Sequence, residues 1–368
     1  MILNLLIVED DVNILRQWEE KLEIYNVDDG KPYTIKPKFY KNMRDALSNI
    51  NLSTFNAAII DIRLQDDSGS MHQNNDGNKI IEELSRKSLT VTAVYTGEPK
   101  IVELNEYQKD FVKIFLKGNG DIDSIIEWLD EKSPMIKAIH AMQESIKETM
   151  ALAFTRSIWP RWTYWVNENE AKDTNSALTR HMATHLHASY LNKDGSGAHP
   201  EEYFFIPPLQ DDLNTGDIIF DNGKLKVIIT PRCDMVRSKS EIPTYQLIEL
   251  LDKSNDWDRL ESKVNSSDLE KDRRKAINEL IQFTNHSNKI GCHFIQRFRI
   301  QIEGQEKVFG PYYAQFNLLH SIERSTENVE YLKEHRIASL SNEFVPSLVE
   351  RLGAYFSRIG TPDYSHPE

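Results

Sequence analysis

Five short apolar runs, each followed by a segment with helical periodicity, constrain the fold of this chain more than any other feature. The runs cover residues 2–8, 33–40, 57–60, 91–95 and 111–116; the helix-period segments cover 12–25, 43–50, 78–86, 99–109 and 122–129. Near-continuous apolar runs of this length suit strands buried on both faces. Their alternation with helices suits a parallel sheet covered on either side. The sequence therefore predicts a doubly wound, five-stranded parallel α/β sheet over the first third of the chain. In such sheets ligands sit beyond the carboxyl ends of the strands, near the point where strand order reverses.

Four of those strand ends carry residues of complementary chemistry. The first run stops at Glu9-Asp10-Asp11, the third delivers Asp61, the fourth ends in Thr96 and the fifth in Lys117. A phosphoryl group moving onto a carboxylate spreads charge over its oxygens. The site must then supply a nucleophile, a divalent metal and fixed positive or hydrogen-bonding partners. Asp61 is the candidate nucleophile. Glu9, Asp10, Asp61 and the backbone carbonyl of Arg63 are candidate ligands for Mg2+, which prefers octahedral oxygen coordination. Lys117 would meet the phosphoryl oxygens as a point charge, and the Thr96 hydroxyl would donate a hydrogen bond to one of them.

At these residues the chain resembles the response-regulator receiver family. The resemblance rests on Leu5-Leu6-Ile7-Val8-Glu9-Asp10-Asp11, Ile59-Ile60-Asp61-Ile62-Arg63-Leu64, Tyr95-Thr96-Gly97 and Phe115-Leu116-Lys117, and it covers residues 1–132. It implies a flavodoxin-like receiver domain of a bacterial two-component system or phosphorelay, phosphorylated on Asp61 by a sensor histidine kinase with Mg2+ as cofactor. Three departures stand out. A polar segment, 65–75, intervenes after Asp61 where the family turns quickly. Lys117 is followed by Gly118 where the family commonly has proline. Position 114, where many receivers carry a switching aromatic, is Ile. Weak or unusual output is the expectation. In overall layout the chain is also similar to receiver proteins of bacterial antiphage operons, among them the phosphate-buffering component of Detocs-type two-component systems.

Composition bounds the rest. With 368 residues, 39% hydrophobic and 27% charged, the chain has the make-up of a soluble globular protein of two or three domains. No stretch approaches ~20 apolar residues and the first residues run straight into a strand, so a cytoplasmic protein without a membrane span is expected. Two cysteines, Cys233 and Cys292, fit a reducing compartment. The formal charge is −13; residues 1–133 hold 16 Lys and Arg against 24 Asp and Glu, a formal −8, which leaves −5 for the remainder. Neither part has the basic balance that phosphate contacts demand of a DNA-binding output domain. The dense basic run Arg273-Arg274-Lys275 reads as a solvated helix face.

Beyond the receiver, a connector helix is expected over 133–158 and an α+β domain over 159–368. Met135, Ile139, Met142, Ile146 and Met150 recur at helical spacing, a seam suited to packing on the chain's own effector domain or on a twin in a homodimer. The aromatics Trp159, Trp162, Tyr164 and Trp165 read as an anchor to a core. His181 and His185 fall on one helical face, a spacing that metal sites use, and Cys233-Asp234 at a strand end is a candidate nucleophile with an acidic neighbour. Asp221-Asn222-Gly223 between apolar runs predicts a hairpin; further strands are expected near 204–206 and 293–302, helical material at 267–285, and a final helix over 340–359. The functional expectation is a non-DNA-binding regulator or phosphate sink, acting on a kinase and a second regulator or effector protein. The alternative is a phosphorylation-gated effector with enzymatic or protein-binding activity in the C-terminal part.

Overall fold

The computed structural model describes residues 1–50, 53–65, 74–118, 122–167, 174–191, 198–266, 269–285, 290–302 and 304–358. The chain forms two compact units, Met1–Asp194 and Gly195–Glu368. Residues 159–191, assigned from sequence to the C-terminal part, belong to the first of these units.

In the first unit the parallel strands are β1 (Ile2–Val8), β2 (Thr34–Tyr40), β3 (Ala57–Ile60), β4 (Val91–Thr96) and β5 (Lys113–Leu116). The helices are α1 (Val12–Val27), α2 (Met43–Ile50), α3 (Asp76–Lys87), α4 (Gln108–Phe111), α5 (Ile122–Glu131), α6 (Ser133–Ala153), α7 (Trp162–Asn167) and α8 (Thr174–Tyr190). Strand order is β2-β1-β3-β4-β5, all pairs parallel. This is the doubly wound, flavodoxin-like order expected from the alternation. Strand periodicity divides the core in two. Leu5, Ile7, Ala57, Ile59, Ala93 and Tyr95 face α1 and α5 over Trp18 and Ile125. Leu6, Val8, Ala58, Ile60 and Val94 face the other way, onto Ala46 of α2 and Ile80 and Leu84 of α3.

The helix expected over 99–109 is a correction. Instead there is a 3-10 turn, Pro99–Ile101, and later the single turn of α4. The backbone between them is claimed by side chains: Asn78 of α3 donates to the Ile101 carbonyl and accepts from the Glu103 N–H. Asn105 and Gln108 then cap each other reciprocally, each side chain accepting the other's N–H at 2.9 Å, which starts a new turn there. With so short a helix beside it, β5 leaves Ile114 38% and Leu116 37% exposed. Phe115 points to the opposite face and meets the Trp128 ring edge-on.

The second unit holds β6 (Phe204–Phe205), β7 (Asp217–Asp221), β8 (Lys224–Ile228), α9 (Arg232–Met235), β9 (Thr244–Asp252), α10 (Ser254–Ser266), α11 (Glu270–Thr284), β10 (Cys292–Ile295), β11 (Phe298–Ile302), β12 (Gln305–Phe309), β13 (Tyr312–Glu323), α12 (Thr326–Glu334), β14 (Arg336–Leu340) and α13 (Val345–Phe356). Seven strands form an antiparallel sheet in the order β10-β13-β9-β8-β7-β14-β6, and β11 pairs with β12 as a separate hairpin. The expected hairpin joins β7 to β8, with Asn222 and Gly223 both at positive φ, 49° and 77°, the conformation a two-residue turn requires. The expected helical insertion is α10 and α11, between β9 and β10. The final helix begins at Val345 rather than at 340, because Leu340 closes β14 and pairs with Phe204. This mixed α+β unit follows the parallel-sheet unit as expected.

Candidate functional site

The carboxyl ends of β1, β3, β4 and β5 gather the residues singled out from sequence. Each is held by the sheet ladder. The Asp61 N–H donates to the Val8 carbonyl, the Glu9 N–H to Tyr40, and the Lys117 N–H to Thr96, each at 2.9 Å. Asp11, third in the acidic run, is spent as the N-cap of α1, accepting from the Asn13 N–H at 2.7 Å. Glu9, Asp10, Asp61 and Thr96 are all buried.

Lys117 Nζ lies 2.7 Å from Asp61 Oδ2 and 2.7 Å from Glu9 Oε2. It reaches them although Gly118, at φ +92°, follows it. The other Asp61 oxygen, Oδ1, accepts the Ile62 N–H at 2.7 Å. Thr96 Oγ1 accepts the Glu98 N–H at 3.2 Å, which leaves the hydroxyl proton available for donation. A cavity of about 250 Å3 opens over Glu9, Asp10, Asp61, Arg63, Thr96 and Lys117.

Glu9, Asp10 and Asp61 offer carboxylate oxygens within 4.8 Å of one another, the one such metal-capable group among the described residues. Three carboxylates against one ammonium leave two formal negative charges, the charge a divalent cation neutralises. The electrostatics register this crowding. Burial, then repulsion from Asp61, pushes the Glu9 carboxyl up to about 7. The same two causes raise Asp10. Burial works against the charge of Lys117, but the Glu9 and Asp61 carboxylates overcome it and hold the ammonium above its ordinary value. Hard oxygen ligands, buried and over-supplied with negative charge, fit a divalent ion of the Mg2+ type.

One pair at the mouth was not singled out from sequence. The Arg63 guanidinium grips Glu98 with two bonds, at 2.8 and 3.3 Å, and donates to the Asn74 carbonyl at 3.1 Å. Arg63 was noted only for its backbone carbonyl. Glu98, two residues past Thr96 and next to Pro99, carried no signal beyond that proximity. Of the polar segment 65–75, residues 66–73 lie outside the described residues.

The C-terminal candidates are not gathered into a comparable constellation. His181 and His185 belong to the first unit, on α8, with Nε2 atoms 3.2 Å apart and the Trp165 ring against His181. Among the described residues no third His, Cys, Asp or Glu joins them as a metal-ligating group. Cys233 and Asp234 belong to the second unit. Cys233 is exposed, its Sγ 3.6 Å from Asp234 Oδ1, and that carboxylate is engaged by Arg237 at 2.9 Å. His199 caps a 3-10 turn through Nδ1, and Cys292 is buried among aromatic rings.

No protein-family model matches the chain, and no curated protein sequence does. Solved structures are similar over about a third of the chain. A response regulator receiver domain (CheY-like) from Methylobacillus flagellatus is 17% identical, covering 36% of this chain and 98% of its own, at a TM-score of 0.27. A receiver domain protein (CheY-like) from Methanospirillum hungatei JF-1 is 19% identical over 38% of this chain and 98% of its own, at 0.28. The response regulator protein TrrA from Thermotoga maritima, in complex with Mg2+ and BeF, is 15% identical over 34% and 98%, at 0.26.

Proposed function

We propose that this chain is a phosphoryl-accepting receiver protein of a bacterial two-component system, phosphorylated on Asp61 by a sensor histidine kinase. The observation that carries the reading is the convergence of Glu9, Asp10, Asp61, Thr96 and Lys117 on one end of a doubly wound parallel sheet. In the transfer, an Asp61 carboxylate oxygen bonds to phosphorus as the donor's phosphorus–nitrogen bond breaks, and the imidazole leaves with the electron pair and takes up a proton. Glu9, Asp10 and Asp61, with the Arg63 carbonyl, would hold Mg2+, which when bound neutralises phosphoryl oxygens. Lys117 already touches Asp61 Oδ2, so an oxygen added there meets a positive charge with little movement. The Thr96 hydroxyl has its proton free to donate to another.

The second part of the proposal is that the protein works as a non-DNA-binding phosphate sink. Ile114 in place of an aromatic ring, and the single turn of α4, support this, because they remove the ring and much of the helix through which loop movement at Thr96 would travel. Residues 1–132 would form the receiver and 133–158 its connector. The antiphage setting rests on similarity of layout alone.

The test of the acceptor is direct. Incubation with Mg2+ and a small phosphodonor gives a phosphate adduct by intact mass, and Asp61→Asn abolishes it. An adduct persisting in the same peptide of that variant sinks the assignment.

A further inference from the structure

Right-handed helical backbone continues beyond α6 through a π-helical turn, Phe154–Ile158, and a 3-10 turn, Trp159–Arg161, into α7. The irregularity has an identifiable source in Pro160, which has no N–H to give and crowds the preceding turn. α8 lies along the C-terminal half of α6, where the Tyr190 hydroxyl sits 3.0 Å from Ser145 Oγ and 3.1 Å from Thr149 Oγ1.

Met142, Met150, Leu152, Phe154, Trp159 and Trp162 all remain exposed along this segment, Leu152 at 51% and Trp159 at 69%. The expectation of an aromatic anchor within a core is thus not met at Trp159 or Trp162. Single exposed apolar side chains are ordinary; Leu152 stands out because it shares one helical face with Glu148 and Arg156, four residues to either side, whereas Met150 and Phe154 project from other sides of the helix.

The charges say which partner. Glu148, Leu152 and Arg156 recur one turn apart. Glu148 and Arg156 are exposed, and neither has an ion-pair or hydrogen-bond partner among the described residues. Eight residues separate them, about 12 Å of helix, too far for them to pair with each other. The pattern of acid, apolar, base is complementary to itself when reversed. A twofold axis through Leu152 sets Glu148 of each copy against Arg156 of the other, whereas parallel pairing would oppose like charges. Beside Leu152, a recess of about 320 Å3 between Thr149, Ala153, Arg156, His185 and Ser189 can receive an apolar side chain. We propose that the C-terminal part of α6, on the face of Glu148, Leu152 and Arg156, forms a homodimer interface of this protein, two copies crossing antiparallel at Leu152.

The test uses the full chain in sedimentation velocity between about 1 and 100 µM. Glu148→Arg and Arg156→Glu should each weaken the dimer about tenfold or more, since each places like charges at both contacts. An equimolar mixture of the two variants should restore association to near the wild-type level, because both contacts are then complementary. Circular dichroism establishes that the variants fold; both positions are exposed. A wild-type chain that stays monomeric across the range, single variants that associate like the wild type, or a mixture that remains dissociated would each overturn the proposal.

Discussion

Glu9 shares the floor of the candidate site with Asp61 and Lys117, and its carboxyl titrates near 7 because burial and the Asp61 charge disfavour its ionised form. A divalent ion needs that proton gone. Mg2+ affinity should therefore rise as pH increases through about 7, with release of a fraction of a proton on binding near that pH. In the metal-free protein the sign is reversed. The folded state holds the proton more tightly than the unfolded chain, whose ordinary value is 4.5, so the stability this contributes is full below 4.5 and is lost as pH rises through about 7. Calorimetric titrations with Mg2+ at about pH 6 and about pH 8, in buffers of different ionisation enthalpy, check the first statement. An affinity that is flat over that interval would take Glu9 out of the metal set. Nothing in the local sequence reveals this perturbed carboxyl: the acidic run was legible, but which of its three members is buried, which faces the metal and which caps α1 depends on the turn from β1 into α1.

At the level of elements, the start of α3 matters more than its length. The Gly77 N–H donates to the Ile62 carbonyl at 3.1 Å, and a Cβ at Gly77 would stand 2.2 Å from the Asp61 carbonyl oxygen and 2.6 Å from Ile62 Cα. These are backbone atoms just past the end of β3 and cannot rotate aside. Gly77→Ala should accordingly displace α3 or the acceptor turn, costing about 3 kcal/mol or more in urea unfolding and lowering the rate of Asp61 phosphorylation. Unchanged stability and rate together would show that the helix start is free to yield. The contact behind this glycine is tertiary. Elements failed to appear from sequence for similar reasons. The helix expected at 99–109 was lost to Asn78, a residue more than 20 positions away whose amide takes the backbone groups a helix would use. β14 was not expected from sequence, and only its last residue, Leu340, was read as the start of the final helix; five residues carry little periodicity, and its partners β7 and β6 lie more than 100 residues upstream.

Over the whole molecule the two units differ in how their architecture follows from the chain. The sheet of the first is built by repetition of strand and helix, and the candidate site lies at one end of it; the second is an antiparallel sheet whose neighbours are drawn from distant segments. Hydrogen exchange of the full chain, with and without Mg2+ and beryllofluoride, discriminates the readings of what phosphorylation does. For a phosphate sink, added protection should stay around Asp10, Asp61 and Thr96 within the receiver. Protection spreading past residue 134 would count against a sink and in favour of a gated effector. Among the described residues no helix is long and apolar enough to cross a membrane.

Local pattern alone determined the five-stranded parallel sheet and the strand ends at which Asp10, Asp61, Thr96 and Lys117 would lie. Periodicity and strand-end placement are properties of contiguous residues. The β7–β8 turn was legible for the same reason, since Asn-Gly satisfies positive φ at both positions without help from elsewhere. What only the tertiary structure decided are the quantities that depend on distance across the fold. Lys117 reaches Asp61 and Glu9 with Gly118 following it, its N–H anchored to Thr96 on the neighbouring strand. Arg63 meets Glu98 across the mouth of the site, 35 residues apart in sequence, because β3 and β4 lie side by side and carry their loops together. Sequence specifies which residues stand at the end of each strand. Only the packing of strands against one another sets which of them touch.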